Sequence, residues 1–317
     1  MAKIIGIGNA LVDVLVTLTD TSLLEDLHLG RGGMWHIDAS QLSDLQMRIS
    51  SLSVVRATGG SASNTIHALS LMGANVGLFG TVADDDAGRF FATMLRRRGI
   101  EDNLTVVKGG KTGIATTFIL PDGERTFATY LGVAPQIALE TLHFERYAAG
   151  DILHIEGYLV QNHDIVETVL SRAKAAGLLV SFDLASWNIV SKDLNFVRHL
   201  VTDYADIVFA NEDEATAFAS THDARAALHH LASLTHIAVV KVGKGGAWAQ
   251  RDDEETFAPA VQCTHVVDTT AAGDFFAAGF LHGVIHGSDL RKCVERGNVV
   301  ASQVIQVLGT QVTQLTY

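Results

Sequence analysis

Along the chain, short runs rich in β-branched residues alternate with stretches whose apolar positions recur at helical spacing. The extended runs are KIIGIG, ANVGLFGTVA, DILHIEGYL, LLVSFDL, DIVFAN and HIAVVKVG. The helical ones include DASQLSDLQMRISS, DDAGRFFATMLRRRG, HDIVETVLSRAKAAG and KDLNFVRHLVTDY. Strand and helix alternating on this scale predict βαβ units, an α/β fold and a mostly parallel sheet covered on both faces. LLVSF and IAVVKV lack polar alternation, as strands buried on both faces do.

Two regions break this rhythm. LVDVLVTLTD and WHID near the start, and LTVVKGGKTGIATTFILPDGERTFATYLG later, read as extended segments without intervening helices. Turns at Gly109-Gly110 and Pro121-Asp122-Gly123 join the later ones. They predict a small antiparallel sheet, built from segments 11–38 and 104–132, set beside the main one. Such an appendage serves as a lid that excludes water; a decorative hairpin fits the pattern equally well. With no low-complexity linker or internal repeat, residues 1–317 read as one domain.

Charge and cysteine usage narrow the partners. A formal net charge of -12 on 317 residues argues against a nucleic-acid surface, which needs a basic footprint. An anionic ligand would need help from helix N-termini and backbone N–H groups. Cys263 and Cys293 are far apart and in no metal spacing, which suits a reducing compartment. No long apolar span appears, and Gly6, Gly8, Asn9 and Asp13 interrupt the opening MAKIIGIGNALVDVLV. These features predict a soluble, cytoplasmic protein with a small-molecule partner and no membrane association.

The strongest chemical signal is VVDTTAAGDFFAAGFLHG, residues 266–283. Asp268 and Thr269 end a predicted strand, and a helix is expected to begin at 270–272. Its first-turn N–H groups and dipole favour an anion, and the small residues Ala271, Ala272 and Gly273 leave room for a phosphate. Asp274, one turn in, is placed to take a proton from a substrate hydroxyl while the helix end holds a phosphoryl group. An ordinary capped core helix would show much the same residues.

Other motifs are weaker alone. GIGNAL lacks the third glycine of a dinucleotide site, having Leu11 there and strand after it. Asn9 and Asp13, near the carboxyl end of the first strand, fit either ligand recognition or a turn. KGGKTG, residues 108–113, has Thr105 where a phosphate loop needs its leading glycine, and reads as a hairpin between two lid strands. GGSASN, residues 59–64, opens a helix where a ligand can approach bare backbone; Ser61 or Ser63 would cap that helix. NEDE, residues 211–214, fits a water-mediated Mg²⁺ site or a helix cap. VVKVGKGGAWA fits a nucleotide lying on bare backbone at Gly243, Gly245 and Gly246, or a β-hairpin. His282 with His286, and His229 with His230, lack a third ligand and read as ordinary core or surface residues.

In order, these motifs resemble the ribokinase-like (PfkB) family of carbohydrate and nucleoside kinases. GGSASN followed by LFGTVADDDAGR resembles its N-terminal signature, and DTTAAGD its C-terminal one. The resemblance implies a three-layer sandwich with a small β-sheet lid, and transfer of the ATP γ-phosphoryl group to a primary hydroxyl with Mg²⁺. Asp274 matches the general base, and Ala271, Ala272 and Gly273 the anion hole. Asp13, Gly60 and Asn64 match positions that hold sugar hydroxyls. Asn211 and Glu214 match the Mg²⁺–phosphate network, with Glu214 acting through water; Gly243, Gly246 and Asn298 match the nucleotide side.

Two departures stand out: Ala271 and Ala83 replace family glycines. At a helical N1–N2 position an alanine still presents its N–H; if the glycine supplies positive φ, activity falls. GNALVDVLV, GGMWHID and TYLGVA are similar to adenosine-kinase-like members, with Trp35 and Phe127 as aromatic faces for a base. A free-sugar kinase and a binding protein weakened at Ala271 are the alternatives. Strand edges in the lid allow a homodimer.

Overall fold

The computed structural model describes residues 2–122 and 124–317. Gly123, in the predicted Pro121-Asp122-Gly123 turn, lies outside them. The chain runs β1 (Ile4–Ile7), β2 (Leu11–Thr17), α1 (Ser22–Asp26), β3 (Met34–His36), α2 (Ala39–Ile49), β4 (Val54–Gly59) and α3 (Ser61–Leu71). It continues through β5 (Val76–Ala83), α4 (Asp86–Arg97), β6 (Glu101–Val107), β7 (Gly113–Ile119) and β8 (Arg125–Tyr130). Next come β9 (Ile152–Glu156), α5 (His163–Ala175), β10 (Leu179–Asp183), α6 (Trp187–Lys192), α7 (Leu194–Tyr204), β11 (Ile207–Asn211), α8 (Glu212–Ala219) and α9 (Ala224–Ala232). The last elements are β12 (Ile237–Lys241), β13 (Gly246–Arg251), β14 (Glu254–Pro259), α10 (Ala272–Ile285) and α11 (Leu290–Val304).

The large sheet has the order β14-β13-β12-β11-β10-β9-β1-β5-β6. From β6 to β12 neighbouring strands are parallel; β13 and β14 close that edge antiparallel. Alternate residues of the buried strands feed two cores. Ile152, Ile207, Phe209, Ile237 and Val239 pack toward α3, α4, α10 and α11. Leu153, Val180, Phe182, Val208 and Val240 pack toward α5 to α9. The result is the predicted three-layer α/β sandwich. Its chain order reverses at β1 and β9, which diverge to opposite halves of the sheet, and crevices at such points take ligands.

The second sheet has the order β3-β8-β7-β2-β4 and corrects three expectations. It is mixed rather than antiparallel, because β2 runs parallel to β7 and β3 parallel to β8. Residues 104–107 belong to β6 at the edge of the large sheet, so KGGKTG links the two sheets instead of turning a hairpin. The small sheet also recruits β4, whose exposed Val54 and Val55 hid its strand character. One face covers its own core of Val16, Phe118, Leu120 and Ala128 against α1 and α2. The other face carries Leu11, Asp13, Ala115, Thr117, Phe127 and Thr129 toward the carboxyl end of the large sheet.

An ion pair joins the small sheet to the segment before α10. Arg125 of β8 lies 3.2 Å from the buried Asp268 and donates to Val267 O. Asp268 also accepts Thr270 N and Gly309 N, each at 2.8 Å. Residues 266–268 are therefore a hydrogen-bonded loop and not the predicted strand end; Val266 and Val267 are exposed.

α10 starts one residue later than the helical reading of Ala271 requires. Ala271 is the N-cap, with φ 61 and ψ 7 in the left-handed region. The left-handed conformation costs an L-residue about 1 kcal/mol, and glycine escapes it. Ala271→Gly is expected to raise Tm by about 2 °C, with turnover equal or higher. A calorimetric scan showing a lower Tm would contradict the strain.

Candidate active site

Four neighbouring strands end on polar residues that the pleat turns to one face. Within β9 to β12, positions two apart share a face. Glu156, Asp183, Asn211 and Lys241 thus continue the rows of Ile152, Ser181, Phe209 and Val239 on the α10 side. Strand register sets Glu156 beside Asp183 and Asn211 beside Lys241. Of these four, only Asn211 was expected from sequence. The signal was nonetheless present: ILHIE, LVSFD, IVFAN and IAVVK are apolar strands that each close on a polar residue.

The N-terminus of α10 faces this row. Ala272 N is taken up by Thr269 O at 3.2 Å, and Phe275 N by Ala271 O at 2.9 Å. The first-turn N–H groups of Gly273 and Asp274 have no intrahelical partner and form the helix end's free donors. Of the residues expected to form an anion hole, Ala272 thus has its N–H already paired within the turn.

Asp274 is held from α3. Ser61 Oγ donates to its Oδ1 at 2.7 Å and Asn64 Nδ2 to its Oδ2 at 2.9 Å, while Thr65 Oγ1 donates to its backbone oxygen at 3.1 Å. Burial pushes the carboxyl up to about 6; the Asn64 and Ser61 bonds oppose this, and Asp183 adds to it. Ser61 does not cap α3. Gly60 does, at φ 93, where a Cβ would sit 2.0 Å from Asn9 O. Bare backbone at Gly60 lets α3 start directly against the loop after β1.

Glu156, at the end of β9, binds that same loop. Its Oε1 accepts Asn9 N (2.9 Å) and Asn9 Nδ2 (2.7 Å), and its Oε2 accepts Ala62 N at 2.9 Å. Burial raises its carboxyl to about 7 against the pull of these bonds. The buried atoms Asn9 Oδ1 and Asn64 Oδ1 have no hydrogen-bond partner among the described residues. Asp13, on β2, is raised to about 7 by burial and by the nearby charges of Asp274 and Asp268.

Asn211 and Glu214 form a reciprocal cap on α8. Glu214 accepts Asn211 N at 2.8 Å and Asn211 Nδ2 at 2.7 Å, and Asn211 Oδ1 accepts Glu214 N at 2.8 Å. Burial and Asp183 push the Glu214 carboxyl up to about 7. Among the described residues no three His, Cys, Asp or Glu side chains converge as metal ligands, the His282 and His286 pair included.

These groups line one cavity of about 860 Å³. At one end, under the small sheet, stand Asn9, Asp13, Gly60, Asn64, Phe127 and Tyr158. At the other, toward β13 and α11, stand Asn211, Gly243, Lys244, Gly246 and Asn298. Asp274 and the start of α10 lie between them. Asn298 Nδ2 donates to Ala258 O and Pro259 O at 3.0 and 3.1 Å, tying α11 to the end of β14. A Cβ on Gly246, at φ 124, would fall 2.1 Å from Ala258 O. Trp35 does not reach the cavity: Met34 and His36 line it, so strand alternation turns Trp35 away, where its Nε1 donates to Gly30 O. Its expected stacking role is withdrawn on that ground.

Known proteins share this fold. A solved adenosine kinase from Sinorhizobium meliloti is 32% identical, with 98% of this chain and 96% of that chain covered and a TM-score of 0.88. A probable sugar kinase from Rhizobium etli is 30% identical, with 99% and 96% covered and a TM-score of 0.87. The 5-dehydro-2-deoxygluconokinase of Geobacillus thermodenitrificans is 29% identical over 264 residues, 78% of each chain. The pattern of the pfkB family carbohydrate kinases matches residues 35–316. The chain, a kinase, belongs to the pfkB family.

Proposed function

We propose that this kinase transfers the γ-phosphoryl group of ATP to the primary hydroxyl of a nucleoside, with adenosine giving AMP. The acceptor hydroxyl lies under the small sheet, and its proton passes to the Asp274 carboxylate as its oxygen bonds to phosphorus. The bond from phosphorus to the bridging oxygen breaks, and ADP leaves with the electron pair. The free N–H groups at the start of α10 face the charge on the moving phosphoryl group. Asn9, Asp13 and Asn64 take the ribose hydroxyls: the unspent Oδ1 atoms of Asn9 and Asn64 are acceptors for them.

The observation that carries the choice of nucleoside is the lining of that end. Phe127, Met34, Leu131, Leu159 and Ile165 give it apolar walls, and Phe127 offers an aromatic ring. Among the described lining residues, the only lysines or arginines are Lys241 and Lys244, both on the far side of Asp274. A sugar phosphate or sugar acid needs a fixed cation where none is supplied, whereas an uncharged base needs apolar surface.

Glu214 and Asn211 suit Mg²⁺ held through water. Both Glu214 oxygens already accept from Asn211, so the ion's remaining partners would be water and nucleotide phosphate. Bound there, the ion would supply neutralisation of phosphate charge.

Assay of ATP-dependent phosphorylation across nucleosides and free sugars tests the acceptor. Adenosine is expected to be turned over with the highest kcat/KM; transfer confined to free sugars would overturn the nucleoside reading. Phe127→Ala should raise the KM for adenosine about tenfold, the worth of one lost aromatic contact. Asp274→Asn should lower kcat by about 10³-fold or more. The same substitution has a pH signature in stability. With its folded value at about 6 and its ordinary value at 3.8, the Asp274 carboxyl favours folding at low pH, and this contribution is lost as pH rises through about 6. Asp274→Asn should therefore melt above the parent at pH 8 and level with it near pH 4. A variant less stable at pH 8 alone would contradict the burial of that charge.

A further inference from the structure

Lys241 is a buried lysine that the base, the acceptor groups and the Mg²⁺ network leave without a role. Its side chain is only 14% exposed, and its Nζ lies 3.0 Å from Asp183 Oδ2. That ion pair uses one of three donors, and the remainder of the ammonium group borders the cavity. A Cβ built on Gly273 would come within 3.1 Å of Nζ, so the ammonium lies under the first turn of α10. Glycine at 273 leaves the ammonium this room without displacing it. Asp183, Glu214 and Asp274 surround the ammonium electrostatically; burial alone would lower its pKa, but together they hold it above its ordinary value.

We propose that Lys241 is the fixed cation of the phosphoryl-transfer centre, contacting the oxygens of the γ-phosphoryl group as it passes from nucleotide to acceptor. Three carboxyl groups surround the point where a triphosphate must arrive, so the cavity is electrostatically hostile to its own substrate. A lysine anchored to Asp183 supplies positive charge at the helix end without having to be recruited from solvent. One donor fixes its position, and the others face the anion. This assignment rests on the phosphotransferase reading of the cavity and adds to it a side chain that touches the reacting group.

Substitution separates this role from simple neutralisation of Asp183. Lys241→Met, Lys241→Arg and the double variant Asp183→Asn/Lys241→Met are compared with the parent by steady-state kinetics with ATP. In parallel, the rise in Tm caused by tripolyphosphate reports anion binding without turnover. Lys241→Met should lower kcat by about 10²–10³-fold and remove most of the tripolyphosphate-induced rise, with Lys241→Arg recovering part of both. The double variant, which no longer buries an unpaired carboxylate, should fold yet remain equally slow and insensitive to tripolyphosphate. Recovery of turnover and anion binding in the double variant would overturn the proposal, leaving Lys241 a partner of Asp183 alone. A parent protein that phosphorylates no acceptor would instead refute the phosphotransferase reading, a result distinct from any behaviour of the variants.

Discussion

The contact between α3 and α10 fixes the site more than any other. Ser61 and Asn64 each donate one hydrogen bond to Asp274, so both carboxyl oxygens are oriented before a substrate arrives. The start of α3 is in turn set by Gly60, whose backbone meets Asn9 O where no side chain would fit. Glu156 then clamps the loop after β1 and the first turn of α3 by accepting from Asn9 and Ala62. Asp274, the loop after β1 and the sheet switch point are thereby one hydrogen-bonded unit.

The cost of this arrangement is electrostatic. Asp13, Glu156, Glu214 and Asp274 all titrate above their ordinary range, chiefly because burial disfavours their charged forms. Hydrogen bonds from backbone and amide groups recover part of that cost, and the Lys241 ion pair with Asp183 recovers more. Such a cluster of perturbed carboxyls is what a site built for positioning charge rather than for stability carries. Ala271 adds a backbone contribution, being held left-handed at the point where α10 begins.

Much of the layered fold was legible because fully apolar strands and amphipathic helices alternate along the chain. The small sheet was less so. Its strands are short and pair across long sequence separations, so β4 escaped notice and residues 104–107 were placed on the wrong sheet. The two signatures led directly to Asn64 and Asp274, and the separate NEDE motif to Asn211. Glu156, Asp183 and Lys241 were missed because a polar residue at the end of an apolar run reads locally as the start of a loop. Only the shared pleat and register of four strands bring them together. Trp35 failed for a related reason: in a three-residue strand the face is set by pairing with β8, which sequence does not disclose. The left-handed φ of Ala271 was signalled only by the family glycine it replaces, since alanine itself disfavours that conformation.

The central claim is that Asp274, tuned by its bonds from α3, is the base. The most direct measurement is the pH dependence of kcat/KM for the acceptor in the parent and in Ser61→Ala. The parent should lose activity in acid through a group near pKa 6, the value burial gives Asp274. Ser61 stabilises the charged form, so its removal should move that limb upward in pH. A limb that stays in place in Ser61→Ala, or a profile flat through this range, would contradict the account.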